Sequence, residues 1–350
     1  MYFASDNAAP AAPEVMAALA RANEGYAASY GGDEIMARVT DRIRTIFEAP
    51  EAAIYLVATG TTANALSLGV LAQPWQAVFC HRHSHVEEDE CGAPEFFTGG
   101  AKLITLGGAD AKIDPAEFRT RAAETGRLGV HNIQRGALTL TNVTELGTLY
   151  TVAEISELCG IAHDMGIGTH LDGARFANAL AALNCSAADM TWKAGIDVVS
   201  FGGTKNGLLG VEAVVIFDPA RAWEFELRRK RGGHLFSKHR YLSAQMDAYL
   251  EDDLWLRLAA QANAAGARLE EGIKSLPGAH LLHPRGANML FAGMPRAAHD
   301  RARAAGAMYY PWPNDHPAEG PADEDLTCRL VTSWSSTAEE VDAFVDVLRG

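Results

Sequence analysis

The chain lacks the features that mark membrane, secreted and nucleic-acid-binding proteins. Its apolar runs are broken by glycine or polar residues within about ten positions, short of the roughly 20 that cross a bilayer. Its first residues, MYFASDNAAPAAPEV, have no basic or apolar region typical of a secretory signal. Five cysteines without a CxxC pair indicate reduced thiols and a cytoplasmic location. Basic residues are in deficit, 30 against 44 acidic ones, and the net charge of −14 disfavours nucleic acid and anionic membranes as partners.

What is present indicates an ordinary folded protein. The 350 residues are 48% hydrophobic and 21% charged, which excludes wholesale disorder and suffices for one large domain or a large and a small one. Helix and strand patterns alternate through the first two thirds, which predicts an α/β fold with a mainly parallel sheet between helices. We expect an N-terminal arm at 1–25, a large domain at 26–240 and a smaller C-terminal α+β domain at 241–350.

Apolar runs and capping signals predict the individual elements. Strands are expected at 53–58, 78–80, 102–106, 137–140, 167–171, 197–201, 212–217, 279–282, 288–291 and 329–333. Helices are expected after Asp33, from Pro115, from the capping box of Thr151 and Glu154, over 241–275, over 295–305 and after Thr337. The strands at 197–201 and 212–217 are joined by about ten residues, too few for a parallel crossover, so they should be antiparallel neighbours.

Three features of the large domain carry chemistry. The Gly60–Thr62 turn follows a buried strand and opens a helix, so its free N–H groups suit a phosphate, although plain helix capping explains such a turn too. Asp172 ends a strand at the edge where α/β proteins bind ligands; its alternatives are capping the next helix or pairing with Arg175. Lys205 lies in a glycine-rich loop between two core strands, where desolvation favours the nucleophilic neutral amine. A phosphate anchor, a carboxylate and a Schiff-base lysine together match the demands of pyridoxal phosphate (PLP).

The same residues lie in motifs of a known family. The sequence resembles the low-specificity L-threonine aldolases, PLP enzymes of the aspartate-aminotransferase-like fold type I, whose sheet is seven-stranded. The resemblance covers nearly the whole chain and is carried by FASDN at 3–7, GTTAN at 60–64, HVEEDECGAPE at 85–95, LDGAR at 171–175, FGGTKNG at 201–207 and RLVT at 329–332. The segments around Asp172 and Lys205 are the most specific of these.

The resemblance implies a role for each matching residue. Lys205 would hold PLP as a covalent aldimine, Asp172 would pair with the pyridine nitrogen, and His85 would stack on the ring. The residues it assigns to the cofactor are Gly60, Thr61, His85, Asp172, Arg175, Thr204 and Lys205. Those it assigns to the substrate carboxylate are Ser5, Arg175 and Arg329. Arginine suits the last task because its planar fork binds a carboxylate in two places.

The implied reaction is retro-aldol cleavage of L-threonine, L-allo-threonine and bulkier β-hydroxy amino acids such as phenylserine to glycine and an aldehyde. His85, directly or through water, is the candidate base for the β-hydroxyl proton. Many family members have a histidine where this chain has Asn142, which can hydrogen-bond a substrate hydroxyl but is no base. The alternatives are a β-eliminating lyase or an aminotransferase with the same lysine and aspartate, and a non-catalytic PLP-fold binding protein.

The family also implies a homo-oligomer, a dimer of dimers with active sites at the subunit interface. Arg240 is a candidate for the phosphate of a neighbouring subunit. The basic run 228–231 is expected to be a solvated helix face, with anion binding or a subunit contact as the alternative. His81 and His83 alternate with His85 beside a cysteine, but no second ligand cluster accompanies them, and no metal is expected.

Overall fold

In the computed structural model, which describes residues 1–350, the strands form two sheets. The larger contains β1 Ala53–Val57, β2 Gln76–His81, β3 Lys102–Leu106, β4 Gln134–Thr141, β5 Gly168–Gly173, β6 Val198–Gly202 and β7 Glu212–Ile216. Its order is β1-β7-β6-β5-β4-β2-β3, and only β7 runs antiparallel to its neighbours. The carboxyl ends of the other six strands therefore meet at one edge. The predicted seven-stranded, mainly parallel sheet and its antiparallel β6–β7 pair are confirmed.

The smaller sheet lies near the C-terminus and is entirely antiparallel. It contains β8 His280–Leu281, β9 Met289–Pro295, β10 Tyr310–Pro311 and β11 Asp325–Val331, in the order β10-β11-β9-β8. The expected small α+β domain is confirmed. Strand β11 begins four residues earlier than predicted because Asp325 already pairs with Pro295 of β9.

Fourteen α-helices surround the two sheets. They are α1 Pro13–Ala22, α2 Glu34–Ile46, α3 Gly60–Leu71, α4 His85–Glu88, α5 Ala93–Thr98, α6 Pro115–Glu124, α7 Val152–Asp164, α8 Phe176–Leu183, α9 Ala187–Met190, α10 Ala222–Arg231, α11 Arg240–Leu250, α12 Leu254–Lys274, α13 Arg296–Ala304 and α14 Ala338–Arg349. Helix α3 is buried on every side from Thr62 to Leu71, as expected for a helix that is apolar all round. No helix has the length and apolarity to cross a bilayer.

Local capping explains several helix boundaries. Asp33 accepts a hydrogen bond from the Met36 N–H, and Thr151 and Glu154 form the predicted capping box. The helical sequence predicted over 241–275 forms two helices, since α11 ends at Leu250 and α12 starts at Leu254. Between them Asp252 and Asp253 adopt left-handed backbone angles, with φ of 48° and 53°, which no α-helix accommodates.

The N-terminal segment joins the small sheet to the site edge of the large one. Phe3 donates its N–H to the carbonyl of Met308, accepts from the N–H of Val331, and packs in the core of the small sheet and its helices. A short 3₁₀ turn, Asp6–Ala8, follows at once. The chain thereby carries residues 5 and 6 to the carboxyl edge of the large sheet.

Candidate active site

The predicted site residues converge on the carboxyl edge of the parallel strands. Gly60 begins α3 just after β1, and His85 begins α4 after β2. Asp172 is the second-last residue of β5, and Lys205 follows β6 in the 3₁₀ turn Thr204–Asn206. A doubly wound sheet places the ends of such strands around a crevice, which is the usual ligand site of this architecture. The edge therefore assembles groups that are far apart in the sequence.

Asp172 and His85 are joined by a chain of hydrogen bonds. Asn64 Nδ2 donates to Asp172 Oδ2 at 2.8 Å and to Glu90 Oε1 at 2.9 Å, and His85 Nδ1 lies 2.8 Å from the same Glu90 oxygen. The second Asp172 oxygen accepts the Ala174 N–H at 2.9 Å. The hydrogen bond to Glu90 raises the pKa of His85 above its usual value against the effect of burial. Asn64 and Glu90 lie in two of the motifs that carry the family resemblance, at 60–64 and 85–95, yet the sequence alone assigned neither residue a role.

The loop that carries Lys205 is fixed on both sides. Glu212 Oε2 accepts the Gly203 N–H at 2.7 Å, and the Thr204 hydroxyl accepts the Val211 N–H at 3.2 Å. A Cβ at Gly203 would lie 2.9 Å from the Val211 carbonyl, so the loop requires glycine there. Burial raises the pKa of Glu212 to about 7, although hydrogen bonds from this loop oppose the rise. The lysine thus projects from a backbone with little freedom.

The turn at the start of α3 has the form of a phosphate cradle. Thr59 caps the helix, and its hydroxyl accepts the Thr62 N–H at 3.2 Å, whereas the N–H groups of Gly60 and Thr61 have no partner within the helix. A Cβ at Gly60 would meet nothing within 4 Å, so the backbone there faces open space. His234, which no sequence signal indicated, lies 3.3 Å through Nδ1 from the Thr62 hydroxyl. Open N–H groups at a helix N-terminus suit the phosphate of PLP.

Arg175 is held by a residue that sequence reasoning missed. Its Nε and Nη2 donate to the two carboxylate oxygens of Asp6 at 2.7 and 2.9 Å, and Asn288 donates to Asp6 at 3.1 Å. Both partners of the ion pair are buried. Arg329 lies nearby, since repulsion from Arg175 adds to burial in lowering the pKa of its guanidinium. Ser5, next to Asp6, accepts the Asn7 N–H through its hydroxyl.

Asn142 lies beside Asp172, since its backbone N–H donates to the Asp172 carbonyl at 3.0 Å. Its side chain is fully buried, and its amide is satisfied by the backbone of Tyr150, donating to the carbonyl at 3.1 Å and accepting the N–H at 3.2 Å. Nδ2 also lies 3.7 Å from Met190 Sδ, so the side chain is held in the interior, and its role toward a substrate hydroxyl stays a prediction. Glu145, three residues further along the same loop, lies close enough to Lys205 and Arg175 for their charges to affect its pKa.

The other sequence candidates lie outside the site or have local partners. Arg240 donates to the Gly25 carbonyl at 2.9 Å at the surface. The basic run ends α10, where Arg228 pairs with Glu224 and Arg229 is buried against the ring of Tyr55. No three His, Cys, Asp or Glu side chains are arranged to hold a metal ion.

This fold and this set of groups define a PLP-dependent enzyme of fold type I. The family model described as "Beta-eliminating lyase" matches residues 2–294. The low specificity L-threonine aldolase of Pseudomonas aeruginosa is 40% identical over 339 residues, covering 97% of this chain and 94% of that protein. The same enzyme from a Pseudomonas species is 41% identical over 308 residues, with 88% of each chain covered. A solved threonine aldolase from Leishmania major superimposes with a TM-score of 0.90 at 28% identity, covering 99% of this chain and 98% of the other.

The chain belongs to the low-specificity L-threonine aldolase family, within the beta-eliminating lyases. It is therefore a lyase that uses PLP. The resemblance stated from the sequence motifs is confirmed.

Proposed function

We propose that this enzyme cleaves L-threonine, L-allo-threonine and related β-hydroxy-α-amino acids such as phenylserine to glycine and an aldehyde. One observation carries the proposal: Arg175 is paired with the buried Asp6, and both Lys205 and Arg329 lie close enough to this pair for the charges to influence one another. A pair of guanidinium groups suits the carboxylate of an amino acid, and the lysine suits covalent capture of the cofactor. The names of the curated relatives support the same substrate.

Each proposed role follows from the group's surroundings. Lys205 would hold PLP through Nζ, and the buried Asp172 carboxylate would favour the protonated form of its pyridine nitrogen. Bound PLP supplies an electron sink for the breaking Cα–Cβ bond. Gly60 and Thr61 would hold the phosphate through their free N–H groups, and Thr204 fixes the lysine loop through its bond to Val211. His85, whose ring is oriented by the contact of Nδ1 with Glu90, would stack on the cofactor.

The substrate carboxylate is proposed to bind Arg175, Arg329 and Ser5. Asp6 occupies only Nε and Nη2 of Arg175, so its Nη1 keeps two N–H donors for a ligand. Arg329 has a buried Nε without a partner, which is a donor that a bound carboxylate can satisfy. These unused donors explain why a carboxylate is favoured at this end of the cleft.

The test is a substrate panel read for products. Wild-type enzyme with PLP and L-threonine should release glycine and acetaldehyde in equal amounts. Lys205→Ala should lose both turnover and the visible absorbance of the bound cofactor, because the covalent bond needs the amine. Formation of pyruvate or of a new keto acid in place of glycine would instead establish β-elimination or transamination. A yellow protein with no turnover of any amino acid would indicate a binding protein.

The finer organisation is also proposed. We infer a cytoplasmic dimer of dimers with active sites at subunit interfaces, with the division into an arm, a large and a small domain at residues 25 and 240. The association of subunits is supported by an exposed apolar surface, which Phe96 of α5 forms together with Trp223 and Leu227 of α10. Trp223→Glu with Leu227→Glu should lower the mass measured by light scattering. A fully active monomer would contradict the proposed interface sites.

A further inference from the structure

Helix α3 connects the proposed phosphate cradle with the Asp172 carboxylate. Gly60 and Thr61 lie in its first turn, and Asn64 follows four residues after Gly60, which places both positions on one face of the helix. The side chain of Asn64 is 2% exposed, and the helix around it is buried from Thr62 to Leu71. A helix packed on all sides holds the amide of Asn64 in a fixed place relative to the cradle.

The amide of Asn64 uses both of its N–H groups on carboxylates. Nδ2 donates to Asp172 Oδ2 at 2.8 Å and to Glu90 Oε1 at 2.9 Å. A primary amide has two N–H donors, and ionised carboxylates only accept, so these contacts determine which end of the amide faces the acids. The Oδ1 atom is buried without a partner, which costs free energy, so this orientation of the amide serves the two acids and not packing.

Asn64 is the only side chain that hydrogen-bonds to Asp172. The other Asp172 oxygen accepts the backbone N–H of Ala174 at 2.9 Å, and no basic side chain pairs with this acid, which is 3% exposed. A buried carboxylate without an opposite charge is costly, so this one suits a cationic ligand. The protonated pyridine nitrogen of PLP is such a cation.

The amide also separates two acids that destabilise one another. Burial raises the pKa of Glu90, and the charge of Asp172 adds to the rise. The hydrogen bond from Asn64 opposes it. Without the amide, Asp172 would keep only its backbone bond to Ala174 beside a carboxylate that repels it. We therefore expect the Asp172 carboxylate to turn away from its present orientation when the amide is removed.

We propose that Asn64 is a positioning residue, which directs the Asp172 carboxylate toward the pyridine nitrogen of PLP while the first turn of the same helix holds the phosphate. This rests on the cofactor roles proposed above for Asp172, Gly60 and Thr61. The ring nitrogen and the phosphate belong to one small rigid molecule. A single buried helix that fixes the partners of both therefore sets the orientation of the cofactor.

The test compares PLP with 1-deaza-PLP, in which a carbon atom replaces the pyridine nitrogen. Both compounds carry the same aldehyde and phosphate, so the contributions of Lys205 and of the cradle cancel in the ratio of their dissociation constants, measured by absorbance titration of the apoprotein. Wild-type protein should bind PLP roughly 10- to 100-fold more tightly, the value of one hydrogen bond to a charged group. In Asn64→Leu the ratio should fall to within a few-fold of one, because a misdirected Asp172 no longer distinguishes the two compounds.

Asn178→Leu is the matched control, because Asn178 is as buried as Asn64 but its amide donates to the neutral amide of Asn263 at 3.2 Å. It should keep the wild-type ratio. A wild-type ratio in Asn64→Leu, with both affinities unchanged or lowered equally, would overturn the proposal. Where the leucine variant does not fold, Asn64→Ala gives the same comparison.

The same titrations separate this proposal from those on which it rests. Equal affinities of the wild-type protein for the two compounds would refute the role of Asp172, and the role of Asn64 with it. A wild-type enzyme that prefers PLP but releases no glycine from L-threonine would refute the aldolase function alone, because the ratio of dissociation constants does not depend on turnover.

Discussion

Replacing Asp6 by asparagine removes one charge from the buried ion pair that orients Arg175. The two side chains are 1% and 8% exposed, and they meet through two hydrogen bonds of 2.7 and 2.9 Å. Asparagine has nearly the same shape and can still accept from Asn288. The variant therefore tests the charge of Asp6, with little change in packing.

The expected cost has a structural and a functional part. Removing one partner of a buried ion pair costs about 3–5 kcal/mol, and we expect the lower end because the acids Glu145 and Asp172 also act on Arg175. A misdirected Arg175 loses a charge-assisted hydrogen bond to the substrate carboxylate, worth about 1.5–3 kcal/mol. This corresponds to a KM for L-threonine raised roughly 10- to 100-fold, with a smaller change in kcat.

The Asp6–Arg175 pair should also make the stability of the wild-type protein depend on pH. Burial by itself raises the pKa of Asp6, but the charges of Arg175 and Lys205 outweigh it, and the folded-state pKa lies below the ordinary value of 3.8. A lowered pKa means that the stabilisation is present above pH 3.8 and is lost as the pH falls through the folded-state value. The difference in stability between wild type and Asp6→Asn should therefore shrink below about pH 4.

The assays are steady-state kinetics and urea denaturation of the holoenzyme. Asp342→Asn is the control, because Asp342 forms a similar two-bond pair with Arg268 at the surface, where both side chains are about half exposed. It should change KM and stability little, since solvent screens such pairs. An Asp6→Asn enzyme with the KM and the denaturation midpoint of wild type would refute the argument that Asp6 orients Arg175.

Three further predictions concern the groups beside the cofactor. Glu90→Gln should lower the pKa of His85, shown by NMR titration of its imidazole, whereas an unchanged value would mean that Glu90 does not set it. Wild-type enzyme should lose stability as the pH rises from 4.5 to about 7, because Glu212, with its raised pKa, keeps a proton in the folded protein that it loses in the unfolded chain. Glu212→Gln should abolish this loss, and equal pH profiles of the two proteins in urea denaturation would contradict the prediction. Gly203→Ala should weaken PLP binding, measured by absorbance titration, because its Cβ would collide with the side chain of Leu208; wild-type affinity would show that the loop adapts.

Local sequence patterns were sufficient for most of the fold. The alternation of apolar runs with capped helices predicted the seven strands of the large sheet, and the short link between β6 and β7 predicted their antiparallel pairing. These signals are local, because burial of a strand and capping of a helix depend on residues a few positions apart. The break between α11 and α12 was missed, since nothing short of the backbone angles at Asp252 and Asp253 distinguishes it from a continuous helix.

The sequence by itself determined the architecture, the family and the positions at strand ends where Gly60, Asp172 and Lys205 lie. Only the tertiary structure decided which side chains meet there. It paired Asp6 with Arg175 across 169 positions and placed the side chain of Asn142 in the interior. The physical reason is that strand ends follow from local periodicity, whereas contacts between distant side chains depend on how the whole chain packs.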